Sequence, residues 1–440
     1  MTDIHSREAW MANHVSIKSI WVVRAGLALP SMFVFQPSFA QELFPYVGDF
    51  RSVRSLGLGI PAVAMSGVSL GDSADVNPAW LGQEGKSKQK NWLRGVWFPG
   101  ATVGANSTTQ SLAKSYFSGQ GSTQQKIENF LIASQNEQTP FGFFSLNPAV
   151  GVGPFQLDAF ARVRVEGYVF QPTESAGGAA TSSGGVLASE VSEDPLSTRI
   201  PLSLSGANSP QMDVRATVER GTSLSFSVPY KNTGVYLGVT VRPTWRSDYW
   251  GNVELAEPLA SAAATSLRAK FNETQGYPVD AGMVVRLPQL RTKPTFGFKI
   301  EDVADTRFKG VSAGHQTMIQ KSNISGGFSA WLMQSPGLSA QCGLAGHHLN
   351  DKRLELSGKW GGGCEFHLAG QVEGDVVSNA LAVGRFGKNK DGWAYGLSFD
   401  LPFFILEFAS SPARIDGPIG YNERLDRRYY LRLSVDASQP

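Results

Sequence analysis

The chain has 440 residues, 17% of them charged, a formal net charge of +2 and 48 glycines. Charge falls well below the ~25% of ordinary soluble proteins, and near-neutrality excludes the basic surface that a nucleic-acid partner requires. Beyond the N-terminus no apolar run is long enough for a membrane helix.

In chain order, residues 1–40 read as an export signal. Lys18 and Arg24 supply positive charge, Ala25 to Phe35 is apolar, and Ser38-Phe39-Ala40 offers small residues to a signal peptidase. Cleavage is expected after Ala40, with Met1 and Met11 both open as the start. Residues 41–90 are expected to form an N-terminal segment and a first strand, and residues 91–440 the main body, with long loops near 172–210 and 246–280. Gly67-Val68-Ser69-Leu70-Gly71 matches the G-x-S-x-G word of hydrolases, which needs Ser69 on a strained strand-to-helix turn with a His and an acid converging on it. In a chain this rich in Gly and Ser an accidental match is expected.

The strongest local pattern runs from Phe155 to Phe170. Phe155, Leu157, Ala159, Ala161, Val163, Val165, Gly167 and Val169 form one series; Gln156, Asp158, Arg162, Arg164, Glu166 and Tyr168 dominate the other. Such a strand exceeds the ~5–6 residues usual in soluble sheets and suits a tilted bilayer crossing. The same alternation is read at Leu224 to Tyr230, Val235 to Arg242, Arg353 to Trp360, Glu365 to Glu373 and Tyr429 to Asp436. Trp393 to Ala409 reads as a hairpin turning near Asp400-Leu401-Pro402, and Gly384 to Lys388 as a strand entering the turn 389–392. Helical spacing is read within Thr123–Ser134 and Pro258–Gly276, and the Ser/Gly/Ala-rich stretch Pro172–Pro210 reads as a loop.

Ten polar-face residues are lumen-facing candidates: Arg162, Arg164, Glu166, Arg353, Glu355, Lys359, Glu365, His367, Glu373 and Arg432. They either neutralise one another across strands or line a polar path. His347 and His348, adjacent on a predicted strand, point to opposite faces and so cannot share a metal; no metal or cofactor is expected. Cys342 and Cys364 are read on strands separated by the one from Arg353 to Trp360, so a bridge would need help from a Gly361-Gly362-Gly363 turn; it stays open beside two unpaired cysteines.

The stretch Arg54 to Leu81, with its spaced glycines, Asp-rich turn and Asn77-Pro78-Ala79-Trp80-Leu81 run, resembles the N-terminal signature of fatty-acid-transporter-like (FadL-like) outer-membrane barrels, notably the TraF-like and PorV-like branch. Val279-Asp280-Ala281-Gly282-Met283, Thr295 to Val303 and Thr306-Arg307-Phe308-Lys309 fit that branch too. The resemblance implies a single barrel of about 14 strands, plugged at its N-terminus. One departure is that the sequence runs past Val435 into Asp436-Ala437-Ser438-Gln439-Pro440 instead of ending on the aromatic residue common in such barrels.

The expectation is therefore an all-β, antiparallel transmembrane β-barrel with an N-terminal plug-like segment and short loop helices, placed in the outer membrane. Its expected partners are the lipid bilayer, the outer-membrane assembly machinery, and either a small hydrophobic ligand that it takes up or an envelope protein of a secretion or conjugation machine that it scaffolds. A soluble β-sandwich binding protein is the alternative fold, and an esterase through Ser69 the remaining alternative.

Overall fold

The computed structural model describes residues 41–43, 52–66, 70–84, 93–118, 139–170, 211–230, 233–254, 271–312, 315–335, 337–352, 354–373, 376–378, 380–401, 404–415 and 424–436. Fourteen antiparallel strands form one closed wall. They are β1 (Leu93–Asn106), β2 (Phe141–Leu146, resuming at Ala149–Val152), β3 (Phe155–Phe170), β4 (Gln211–Tyr230), β5 (Val235–Val241 and Thr244–Glu254), β6 (Asn272–Gly276 and Val279–Arg286), β7 (Thr295–Glu301 and Arg307–Gly310), β8 (Met318–Gln320 and Asn323–Met333), β9 (Leu338–Gly346), β10 (Trp360–Leu368), β11 (Ala382–Asn389), β12 (Gly392–Leu401), β13 (Phe404–Ile415) and β14 (Arg424–Asp436). Each pairs with its neighbour, and β14 returns to β1 with Leu433 opposite Ala101 and Arg432 opposite Thr102, so no edge is left open.

Proline explains three of the strand interruptions. Pro148, Pro243 and Pro278 have no N–H to give to a ladder, so β2, β5 and β6 break beside them. The neighbouring groups find other partners: Arg242 N donates to Pro278 O at 2.9 Å, and Asp302 N to Asp280 Oδ1 at 3.0 Å.

The two faces of the wall meet different surroundings. Leu157, Phe226, Val239, Phe298, Phe328, Phe386, Leu397, Leu431 and Leu433 are exposed on the outside, whereas Asp158, Ser225, Thr240, Lys299, Ser329, Ser398 and Arg432 are buried within. An apolar outer belt around a polar interior is the arrangement of a barrel embedded in lipid, and a sandwich core would invert it. Among the described residues no helix is long and apolar enough to cross a membrane.

Residues 52–84 fill the interior. Helix α1 (Val53–Leu58) stops at Gly59, whose φ of 64° is left-handed and lets its N–H reach Leu56 O. Helix α2 (Leu70–Val76) and a 3-10 turn at Pro78–Trp80 follow. Leu58, Ile60, Ala62, Met65, Val76, Ala79 and Trp80 pack with Tyr236, Val284 and Ala345 of the wall into one apolar cluster. Inward glycines let this backbone approach closely: Leu58 lies against Gly363 and Gly387, Ile60 against Gly361, Val63 against Gly297, Asn77 against Gly282 and Pro78 against Gly238. Several of these seats are cross-strand partners, namely Gly238 with Gly282, Gly297 with Gly327, and Gly343 with Gly363 and then Gly387.

Several expectations are corrected. Arg353 to Trp360 is not a strand: Leu354 is a bend, Leu356–Lys359 a single helical turn, and the wall resumes at Trp360. Gly361-Gly362-Gly363 lies inside β10 rather than in a turn, because Gly361 and Gly363 seat the plug. Without an intervening strand, Cys342 and Cys364 are directly opposite on β9 and β10, with Cα atoms 4.0 Å apart, and form a disulfide. The strand expected from Glu365 to Glu373 ends at Leu368. Ala369 turns with φ 54°, and Gln371–Glu373 pairs with Val376–Ser378 in a separate hairpin. His347 and His348 follow β9 instead of lying in it; His348 has φ 52°, and the two rings sit 4.2 Å apart rather than on opposite faces. Strand residues occupy much of the loop expected near 246–280, at Thr244–Glu254 and Asn272–Gly276, so the helical spacing read through Gly276 does not hold at that end. A helix at Ser107–Ser118 was not anticipated. Residues 1–40, 119–138, 171–210 and 255–270 lie outside the described residues, and with them the export signal, the Thr123–Ser134 helix and the Pro172–Pro210 loop.

Candidate functional site in the plugged lumen

The Asn77-Pro78-Ala79-Trp80-Leu81 run clips the plug to the wall. Asn77 Oδ1 accepts from Ala79 N at 3.1 Å and caps the 3-10 turn, where Pro78 fits because its missing N–H would find no helical partner. Asn77 Nδ2 donates to Val63 O and Met283 O, each at 3.2 Å, and to Phe298 O at 3.3 Å, tying the plug to β6 and β7. Trp80 Nε1 reaches Val63 O at 3.2 Å, and Ser227 Oγ on β4 reaches Ala79 O at 3.1 Å. Leu81 is fully buried.

Charge completes the closure through two networks, each with three cations and three carboxylates. In the first, Arg54 of the plug donates through Nε to Glu365 Oε1 at 2.7 Å and through Nη2 to Ser66 O at 2.7 Å. Arg385 shares Glu365 Oε1 at 2.8 Å and reaches Glu407 at 3.4 Å. Arg432 holds Asp72 of α2 through two hydrogen bonds, at 2.5 and 2.8 Å, and also bonds Glu407. The second network joins Asp75 of α2 to Arg162 at 2.7 Å and Arg242 at 3.6 Å, Arg242 to Asp280, and Lys299 to Glu301 at 2.7 Å and to Asp75 O. Asp72 and Asp75 thus carry one helical turn across the lumen, gripping β13–β14 on one side and β3, β5 and β7 on the other. Replacing such charges with apolar groups of like volume often costs nothing, but removing one partner strands the others in low dielectric.

Of the lumen-facing candidates, Arg162, Glu365, His367 and Arg432 lie in or beside these networks; His367 Nε2 is 3.6 Å from Glu365. Arg164 and Glu166 pair at 2.6 Å, and Arg428 joins Glu166. Glu355 is exposed beyond the wall, Lys359 is buried with Nζ on Leu349 O at 3.1 Å, and Glu373 belongs to the separate hairpin. Arg353 lies outside the described residues, as does Ser69. The lumen-facing candidates did not include Arg54, Asp72, Arg385 and Glu407 of the first network or Asp75, Arg242, Asp280, Lys299 and Glu301 of the second. Glu407 carried a findable signal, since it stands between Leu406 and Phe408 on an alternating strand.

An aromatic patch lies beside the plug towards the long-loop end. Val53 and Leu56 pack with Phe141, Ala409 and Tyr430, flanked by Phe143; both Phe rings meet Tyr430 edge-on at 5.8 Å. The Arg428 guanidinium stands 4.1 Å over Phe141. Among the described residues no group of three or more His, Cys, Asp or Glu is placed to hold a metal ion.

No family model matches the chain, and no curated protein matches it. Among solved structures it is similar to the CymD monoaromatic hydrocarbon channel, with 10% identity and a TM-score of 0.43 over 89% of this chain and 97% of that one. It is also similar to the Pseudomonas putida toluene transporter TodX (8%, 0.44, 91% and 100%) and to the Ralstonia pickettii toluene transporter TbuX (12%, 0.41, 86% and 98%). Identities and TM-scores this low leave the assignment of function to the residues of this chain, which define a plugged transmembrane β-barrel.

Proposed function

We propose that the protein is an outer-membrane uptake barrel for a small hydrophobic compound, exported with removal of residues 1–40, in which residues 52–84 act as the gate. The supporting observation is that the chain's own N-terminal segment fills the lumen and is tied to β14 through Asp72 and to β3 and β7 through Asp75. A barrel used only as an anchor can fill its interior with wall side chains; a removable stopper held by charges suits a conduit. Withdrawal of the gate would uncover Phe141 and Tyr430, now buried against Val53 and Leu56, as an apolar surface for such a compound.

A scaffold for an envelope machine is the second reading. It is favoured by the close glycine seats, which fit a stopper that never leaves. Uptake of a small apolar fluorophore into proteoliposomes separates the two. On the uptake reading, wild type exceeds empty vesicles, Asp72→Asn with Asp75→Asn increases the rate, and cross-linking α2 to the wall through engineered cysteines abolishes it. Rates equal to empty vesicles in all three proteins would exclude uptake in favour of the scaffold.

A further inference from the structure

We propose that the outward face of β11–β14 at the long-loop end binds the phosphate of a lipid headgroup in the surrounding leaflet. One tryptophan organises the site. Trp393, second residue of β12, is exposed on the outer face, and cross-strand pairing sets Lys388 of β11 opposite it. Lys388 Nζ lies 5.4 Å over the Trp393 ring. From the other side Arg427 of β14 donates through Nη2 to Trp393 O at 2.9 Å and through Nη1 to Ser410 Oγ at 2.8 Å, with its guanidinium 5.6 Å over the Tyr395 ring.

These contacts fix two cations on a lipid-facing surface without neutralising them. Among the described residues neither Lys388 nor Arg427 has a carboxylate partner, whereas nearby Arg414 is paired with Asp391 at 2.8 Å. Further along the same outer rows come Phe386, Leu397, Phe408 and Leu431, all exposed and apolar. The cations therefore stand at the upper margin of the belt, at the depth of headgroups, with aromatic rings beneath them. The complementary ligand has acyl chains along the belt and a negative charge at its margin. A phosphorylated lipid meets both conditions, and a guanidinium held by its edge presents the donors that remain.

The test uses the full mature barrel in phosphatidylcholine nanodiscs doped with bis-phosphorylated lipid A, with co-retained lipid counted by native mass spectrometry. Wild type should retain lipid A, and Lys388→Gln with Arg427→Gln should lower its apparent affinity by roughly tenfold or more, since each surface cation contributes about fivefold. Arg220→Gln, which removes an exposed cation on β4, should leave retention unchanged. Equal losses in both variants would mean diffuse attraction and overturn the site. Wild type also tests the idea without any variant: dephosphorylated lipid A should be lost, and millimolar inorganic phosphate should not displace the phosphorylated form. Equal retention of the two lipids would overturn the proposal, as would displacement by free phosphate, which would assign the site to a soluble anion.

Discussion

Leu431, Arg432 and Leu433 are consecutive yet meet different solvents: the leucines are exposed on the outer face, and Arg432 is buried against Asp72 and Glu407. Leu431→Arg or Leu433→Arg is expected to cost roughly 2–4 kcal/mol near the bilayer midplane and less near the interface, lowering the amount of heat-modifiable protein in the membrane. On the sequence alone Arg432→Leu reads as tolerated, because alternation reveals a face but not what stands across the lumen. The partners change that expectation. Loss of the guanidinium leaves two buried carboxylates short of a cation, a penalty on the order of 3–5 kcal/mol. It falls mainly on the plug, so Arg432→Leu should assemble as a barrel whose residues 52–84 are cleaved by added protease far faster than in wild type. Equal protease resistance would show that the Asp72 contact does not hold the plug.

The strand pattern was legible wherever one face is apolar, and it failed where glycine carries the information. Gly363 and Gly387 contribute nothing to hydropathy, so their role as seats for Leu58 could not be read, and the Gly361-Gly362-Gly363 run was mistaken for a turn. The alternation from Arg353 to Trp360 misled for the opposite reason: polar and apolar residues alternate by chance in a loop carrying one helical turn, and that false strand separated two cysteines that are in fact opposite one another. The charge networks were legible only in small part: Arg162, Glu365 and Arg432 show their face on alternating segments, while Arg54 and Asp72 sit in a segment with no strand period. Gly387 and Gly384 provide a test within one strand. A Cβ at Gly387 collides with the Leu58 carbonyl, whereas one at Gly384 has nothing within 4 Å. Gly387→Ala should loosen the plug and raise its protease sensitivity, with Gly384→Ala indistinguishable from wild type. Matching behaviour of the two variants would remove the glycine seats from the account.

At the scale of the whole molecule, the fourteen-strand wall is a ring of ladders with no free edge, so unheated samples in SDS should migrate apart from boiled ones. The Cys342–Cys364 bridge adds a covalent tie across β9 and β10 and closes a loop with a sequence separation of 22. Serine at both positions should lower the temperature at which the two gel forms interconvert, a loop of that size being worth about 3 kcal/mol in the entropic account. An unchanged conversion temperature would mean that the ladder alone sets it. The ring is also uneven in height: β4 has 20 residues and β3 has 16, against 9 in β9, 9 in β10 and 8 in β11. At a rise of about 3.3 Å per residue and a tilt near 40°, β11 stands only about 20 Å tall, short of the ~25 Å apolar band of such barrels. Lipid touching that side must compress to meet it, while lipid on the opposite side need not. The protein therefore imposes a dent on its membrane, and refolding into bilayers of short-chain lipid should be faster than into long-chain ones.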